Sequence, residues 1–273
     1  MAWPPPELLE RARAIARGEL EPPPVRNAAT VVLLRDRVTA DGTQLEVLLM
    51  RRVASMAFAA GAVVFPGGSV DPEDGDAHVD LPAGYTEALA ATEPLARALV
   101  CAAVRETFEE AGVLLVRGQA PERWAEERRA LDARETSMAA VLARHDLRLD
   151  ADVVRPWARW VTPEPEVKRF DTRFFVAAMP EDQRAAGDDA GGEADSSAWM
   201  RPEHAIAGFH AGELTMLPPT IATLQEIAPY ASVAAVLAAT TTRAVTVVEP
   251  RIEMAEDGTL RFIRPGFDDV VLS

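Results

Sequence analysis

The chain predicts an α/β protein built as one elaborated domain, and three observations carry that expectation. Two β-branched runs, Ala28 to Leu34 and Leu45 to Met50, are almost continuously apolar, as strands covered on both faces are. Between Leu95 and Ala111 the pattern turns helical, and its first half is apolar all round, which implies burial between layers. At 273 residues and 48% hydrophobic content, the chain is long enough to bury one large core.

Glu7 to Arg17 places Leu8, Leu9, Ala12 and Ile15 at helical spacing, with Gly18 where a helix stops. Pro22 to Pro24 then form a stiff connector, so residues 1–26 read as an N-terminal helix and linker ahead of a domain spanning 27–273. Asp41-Gly42 is a turn signal that makes a hairpin of the two apolar strands. Gly61 to Phe65 is a third strand candidate, ending in the loop Pro66-Gly67-Gly68. The acidic, turn-rich stretch from Asp71 to Glu93 reads as a loop, with an insertion at about 75–93. Pro94 suits a first helical turn, and Gly112 ends the helix that follows. One or two charged helices are expected over Pro121 to His145, and strands over Trp157 to Val161, Phe170 to Ala178 and Ala198 to Met200. An acidic loop, Glu181 to Ala194, precedes the last of these. Helices follow near Pro202 to Ala211 and Pro219 to Ala228, then strands at Ala244 to Val248 and Leu260 to Ile263, with Asp257-Gly258 as a turn.

The charge balance excludes several classes of partner. With 28 basic against 43 acidic residues, the formal charge is -15, which disfavours non-specific binding to nucleic acid or to anionic lipid. An acidic protein handling phosphates needs a divalent cation or a local basic patch. Cys101 is the sole cysteine, so an intramolecular disulfide and a cysteine-based zinc site are excluded. The start of the chain lacks a signal-peptide pattern, no apolar run reaches membrane-spanning length, and Val270 to Ser273 is not a Ser-Lys-Leu type address. A cytoplasmic location is the expectation.

The chemistry concentrates in Arg105 to Gly112. Glu106 and Glu110 are spaced i,i+4 and Glu109 is i+3 from Glu106, so three carboxylates project toward one side at the buried end of an apolar helix. Like charges gathered at a buried end call for a neutralising cation, and hard divalent ions take oxygen ligands of this kind. On any helix, three glutamates are most often a solvated face, here with Arg97 and Arg105 as partners. The upstream Gly67-Gly68 changes that balance, because glycines before a helix let backbone amides approach a phosphate.

This pattern resembles the Nudix box, G-x5-E-x7-R-E-U-x-E-E-x-G-U, matched by Gly68 and then by Arg105, Glu106, Glu109, Glu110, Gly112 and Val113. The chain departs from it in two ways: Asp74, with Glu73 beside it, stands where the family has glutamate, and 30 residues rather than 7 separate Asp74 from Arg105. An interrupted box is similar to that of the Nudix branch containing the peroxisomal coenzyme A diphosphatases. Trp160 to Pro163, Arg169 to Phe175 and Leu217 to Thr220 also look like that branch's downstream segments. The resemblance implies a Nudix-type α/β/α sandwich with a central mixed β-sheet and additional helices. It further implies Mg²⁺ or Mn²⁺ held by Glu106, Glu109 and Glu110, with Arg105 salt-bridged to that cluster and either Glu106 or Glu109 as base. Many members use a glutamate about six residues before a tryptophan near the site, and Glu193 before Trp199 fits that spacing.

The implied substrate is a nucleoside diphosphate linked to another moiety, coenzyme A or acyl-coenzyme A first, and NADH, ADP-ribose or a dinucleotide polyphosphate second. A catalytically inactive ligand-binding protein of the same fold is the rival. Upstream of the box, the coenzyme A signature L-L-T-x-R-[SA]-x3-R-x3-G-x3-F-P-G-G is kept at Leu48, Leu49, Arg52, Gly61, Phe65, Pro66, Gly67 and Gly68. It is altered at Met50, Val53 and Ala57. Arg51 and Arg52 with Gly67 and Gly68 are therefore the substrate-binding candidates. His78, His145, His204 and His210 lack ligand spacing, Cys101 reads as a packed thiol, and Trp157, Trp160 and Phe174 as core before base-stacking. The helices after the box and the C-terminal strands are candidates for a homodimer interface.

Overall fold

The computed structural model describes residues 6–40, 42–52, 61–117, 124–185, 197–254, 260–263 and 270–272. Helix α1 (Pro6–Ala16) opens the chain, and the apolar runs that follow become β1 (Val25–Thr39) and β2 (Gly42–Arg51), paired antiparallel from Leu34↔Val47 to Thr39↔Gly42. β3 (Val63–Val64) extends the far edge of β2. Gly67 and Gly68, expected in a loop, instead belong to a short strand, β4 (Gly67–Ser69), paired with β1 at Ala29↔Gly68 and Thr30↔Gly67.

The insertion is also structured. A 3-10 turn (Pro72–Asp76), β5 (Val79–Asp80) and α2 (Tyr85–Leu89) fill it, and Ala77, Val79, Tyr85 and Leu89 are buried. The apolar side chains that anchor it are widely spaced among small and acidic residues and show no periodicity for a sequence reading to detect. The Tyr85 hydroxyl donates to the Val154 carbonyl, tying the segment to the rest of the core.

Helix α3 (Glu93–Ala111) follows, with Pro94 in its first turn and Gly112 as a left-handed cap at φ 72°. Next come α4 (Ala125–Asp132), α5 (Met138–Arg144) and β6 (Leu149–Asp150), which pairs in parallel with β5. β7 (Arg155–Val161), β8 (Arg169–Ala178) and β9 (Ser197–Met200) match the expected strands, and α6 (Pro202–His210) and α7 (Pro218–Ile227) the expected helices. α8 (Val233–Ala239) was not anticipated, its alanine-rich sequence giving little contrast between faces. β10 (Val247–Val248) is shorter than expected. β11 (Arg251–Met254), β12 (Leu260–Ile263) and β13 (Val270–Leu272) form a separate antiparallel sheet, of which only β12 was anticipated. Asp41, Asp257, Gly258 and Glu193 lie outside the described residues.

The main sheet runs β10-β7-β8-β1-β2-β3, with β4 beside β1 and β9 beside β2. It is mixed, since β1 and β8 are parallel over Val25↔Arg169 to Leu34↔Ala178 while β1–β2 and β7–β8 are antiparallel. Alternate residues of one strand enter opposite cores. Val31 and Leu33 pack with Leu48, Phe175 and the buried face of α3; Val32 and Leu34 pack with Val47, Leu49, Trp157 and side chains of α6, α7 and α8. Helices thus cover both faces of the sheet, an α/β/α sandwich, and the continuous apolar runs follow from that double burial. Among the described residues, no helix is long and apolar enough to cross a membrane.

Candidate functional site

Helix α3 is buried from Ala98 to Arg105 and emerges at its C-terminal turn, where Glu106, Glu109 and Glu110 are half-buried. The C-terminal end of a helix carries partial negative charge, so three carboxylates there oppose the local field. Arg105 offsets part of that conflict with every donor it has. Its Nε and Nη2 bond the two oxygens of Asp74 at 2.9 and 3.0 Å, Nη1 reaches Glu106 at 2.8 Å and Glu109 at 3.2 Å, and Nη2 also reaches the Ser69 carbonyl at 2.9 Å. No N–H of Arg105 is left over for a substrate, so it acts as a positioning residue. Asp74, at 2% exposure, takes the place of the glutamate in the first half of the box. The segment between Asp74 and Arg105 packs Ala77, Val79, Tyr85 and Leu89 into the core, and the two halves of the motif meet as a bidentate ion pair.

β4 lies against this cluster so closely that side chains are excluded. A Cβ on Gly68 would sit 2.5 Å from Glu106 Oε1, and one on Gly67 would sit 2.4 Å from the Ala29 carbonyl oxygen. The Gly67 N–H donates to Glu110 Oε2 at 2.8 Å. The glycines therefore fix the carboxylates as well as lining the approach to them. Gly68→Ala pushes against the flexible end of Glu106 rather than against backbone. The expected outcome is a fall in turnover of at least about tenfold with a melting temperature nearly unchanged. Unaltered kcat in the folded variant would show that the Glu106 position is not critical.

Sequence reasoning missed Arg128. From α4 it donates to the carbonyls of Glu109 and Glu110 at 2.8 and 3.0 Å, satisfying the open end of α3 with a cation. Its partners are main-chain atoms 18 and 19 residues away, which no side-chain spacing reveals.

Burial raises the pKa of all three glutamates. Glu106 is pushed up to about 7, burial outweighing the opposing pull of Arg105. Burial likewise raises Glu109 against Arg105, and Glu110 against the Gly67 amide and Arg52. Burial would lower Arg105, but Asp74, Glu106 and Glu109 outweigh it and hold the guanidinium charged. Negative charge thus exceeds positive charge at a half-buried place, and the donors are hard carboxylate oxygens. That donor chemistry fits Mg²⁺ or Mn²⁺, which take one or two carboxylates and keep several waters. The side chains are turned toward Arg105 and Gly67 rather than gathered on one point, and no described group of three acidic, histidine or cysteine side chains has metal-holding geometry.

A pH dependence follows. Because the folded pKa of Glu106 lies above its ordinary value of 4.5, its stability contribution is fully present below that value and is lost as pH rises through about 7. The loss amounts to at most about 3 kcal/mol in protein without metal. A divalent cation held here would neutralise the charge that ionisation adds, so Mg²⁺ should stabilise the protein more near pH 8 than near pH 5.5 in thermal melts. Equal effects at both pH values would put the ion elsewhere.

Beside β4, on the opposite face of the sheet from α3, lies a cavity of about 420 Å³. Arg52, Gly67 and Gly68 form one end, and Phe65, Trp160, Phe174 and the Leu217 to Thr220 turn form its walls. The three downstream segments singled out in the sequence thus converge on one space, and Trp160 and Phe174 are both packed in the core and part of the cavity wall. Trp157 is wholly core. Among the described residues the Arg52 Nε is buried without a partner, and the same guanidinium lowers the pKa of Glu110. Arg51 is exposed at the end of β2 and does not line the cavity. Cys101 is buried, as expected of a packed thiol. A second cavity of similar size, edged by Asp76, His78 and α5, shares no residue with this one.

A model of the family described as NUDT19 Nudix domain matches residues 86–227, about half of the chain. A Nudix hydrolase crystal structure from Alicyclobacillus acidocaldarius aligns with a TM-score of 0.64 at 30% identity, covering 82% of this chain and 98% of that one. Among curated relatives, the putative nudix hydrolase 7 of Caenorhabditis elegans is 27% identical over 72% of this chain and 58% of its own length. The human acyl-coenzyme A diphosphatase NUDT19 is 29% identical over 71% of this chain and 62% of its own. The chain therefore spans about three fifths of the length of these curated relatives.

Proposed function

The chain belongs to the Nudix family, matching its NUDT19 branch, and from that membership we propose that it hydrolyses the diphosphate linkage of a nucleoside diphosphate joined to another moiety. Acyl-coenzyme A or coenzyme A is the first substrate class, since similar proteins are named acyl-coenzyme A diphosphatases. The observation that carries this reading is the excess of carboxylate at Glu106, Glu109 and Glu110 beside the Arg52, Gly67 and Gly68 end of a substrate-sized cavity.

In the proposed reaction water adds to one phosphorus, the bridging P–O bond breaks, and two phosphomonoesters leave. Glu106 or Glu109 accepts the proton of the attacking water. Mg²⁺ or Mn²⁺ would be held by Glu106, Glu109 and Glu110 and would supply charge neutralisation and a lowered pKa for water; Glu193, the further ligand expected from the sequence, lies outside the described residues. Arg105 orients the carboxylates, Arg52 meets the diphosphate, and Gly67 and Gly68 leave room for it.

The test is turnover with Mg²⁺ across coenzyme A, acetyl-coenzyme A, NADH, ADP-ribose and diadenosine polyphosphates. Release of two phosphomonoesters from a coenzyme A substrate is expected. Binding without turnover of any member would replace the proposal with a ligand-binding protein of the same fold.

A further inference from the structure

The far end of the cavity holds an acid that the reaction does not use. Glu166, on the turn between β7 and β8, lines the cavity together with Phe170, Lys168 and Pro250. Its side chain is half-buried and has no hydrogen bond or ion pair among the described residues, while burial raises its pKa and Arg11 opposes that rise. Arg11 makes no ion pair with it among the described residues, and the Arg11 Nε donates to the Pro165 carbonyl at 2.7 Å. That bond instead ties α1 to the turn and holds Glu166 in place. A carboxylate removed from bulk water without a partner is costly, and one that faces a cavity finds its partner in a ligand.

The sheet register supplies a ruler. Ser69, Ala28, Thr172 and Trp160 lie side by side on β4, β1, β8 and β7. Three strand spacings separate the glycine end from the Trp160 end, roughly 14 Å. That span suits a nucleoside extended from its diphosphate. The walls between are aromatic and proline faces, against which a planar ring packs well.

We propose that this cavity takes the nucleobase of the substrate and that Glu166 accepts a hydrogen bond from its exocyclic amine. The proposal rests on the diphosphate reading above. Adenine presents that amine, whereas hypoxanthine presents a carbonyl oxygen that repels a carboxylate.

Two substrate pairs test it, coenzyme A and NADH, each against its hypoxanthine analogue. Wild-type protein should prefer adenine by about tenfold or more, through KM rather than kcat. Glu166→Gln offers an amide N–H to the carbonyl and should erase or invert the preference, and Glu166→Ala should erase it without inversion, the loss appearing as a higher KM on the adenine substrate. Calorimetric affinities for the same pairs give the base preference even if neither pair is turned over, so failure of the hydrolase reading is seen separately. An unchanged adenine preference in a folded Glu166→Gln protein overturns the assignment.

Discussion

Glu110→Gln lowers kcat/KM by about a thousandfold and leaves the fold intact. Glutamine keeps a carbonyl oxygen where Glu110 Oε2 accepts the Gly67 N–H at 2.8 Å, so the contact between α3 and β4 survives. What disappears is a negative charge that the protein itself already disfavours, since burial raises the pKa of Glu110. Without metal the variant should therefore melt no lower than wild type, and above neutral pH somewhat higher. Its Mg²⁺-induced gain in Tm should shrink in parallel with activity. Steady-state kinetics and melts with and without Mg²⁺ read both effects. Full turnover in the variant would remove Glu110 from the metal site.

Asp74→Ala produces the largest loss of stability. Arg105 is 7% exposed, and removing Asp74 leaves its Nε without an acceptor and its charge buried without its bidentate partner. Breaking one side of a buried pair costs about 3–5 kcal/mol, more than the net worth of the pair. The backbone contributes as well, because Asp74 Oδ2 accepts the Asp71 N–H at 2.8 Å and holds the 3-10 turn. Urea unfolding of Asp74→Ala, Arg105→Ala and the double variant should show strong coupling, the double falling well short of the summed singles. Near-additivity would mean that the halves of the motif are energetically independent. Activity should fall in every member of the set, because the guanidinium that orients Glu106 and Glu109 is either removed or freed from its anchor on Asp74.

Much of this site is legible in the sequence because its carboxylates share one helix. The spacing of Glu106, Glu109 and Glu110 fixes their common face, and Gly112 fixes where the helix ends. The long strands are legible for a similar reason: ten or more residues carry enough apolar signal, whereas β5, with two residues, carries almost none, and β3 and β10 were anticipated but are only two residues long. Spacing could not show that Gly67 and Gly68 sit in a strand against β1, since their small size serves a contact with Ala29 and Glu106 made only after folding. Arg128 and Glu166 were illegible for the same physical reason. Their roles are defined by a helix end and a cavity assembled from distant segments, not by their neighbours in the chain.

The closure of Asp74 onto Arg105 across the insertion has a broader implication. The motif is a knot of charges whose geometry is indifferent to how much chain leaves and re-enters between its parts, and closing a longer loop costs only logarithmically more. Length at this point is thus a free variable for evolution, through which surface can be added or traded without disturbing the reactive groups. A linear pattern search counts residues along the chain, and it will overlook relatives in which the same charges meet after a longer detour.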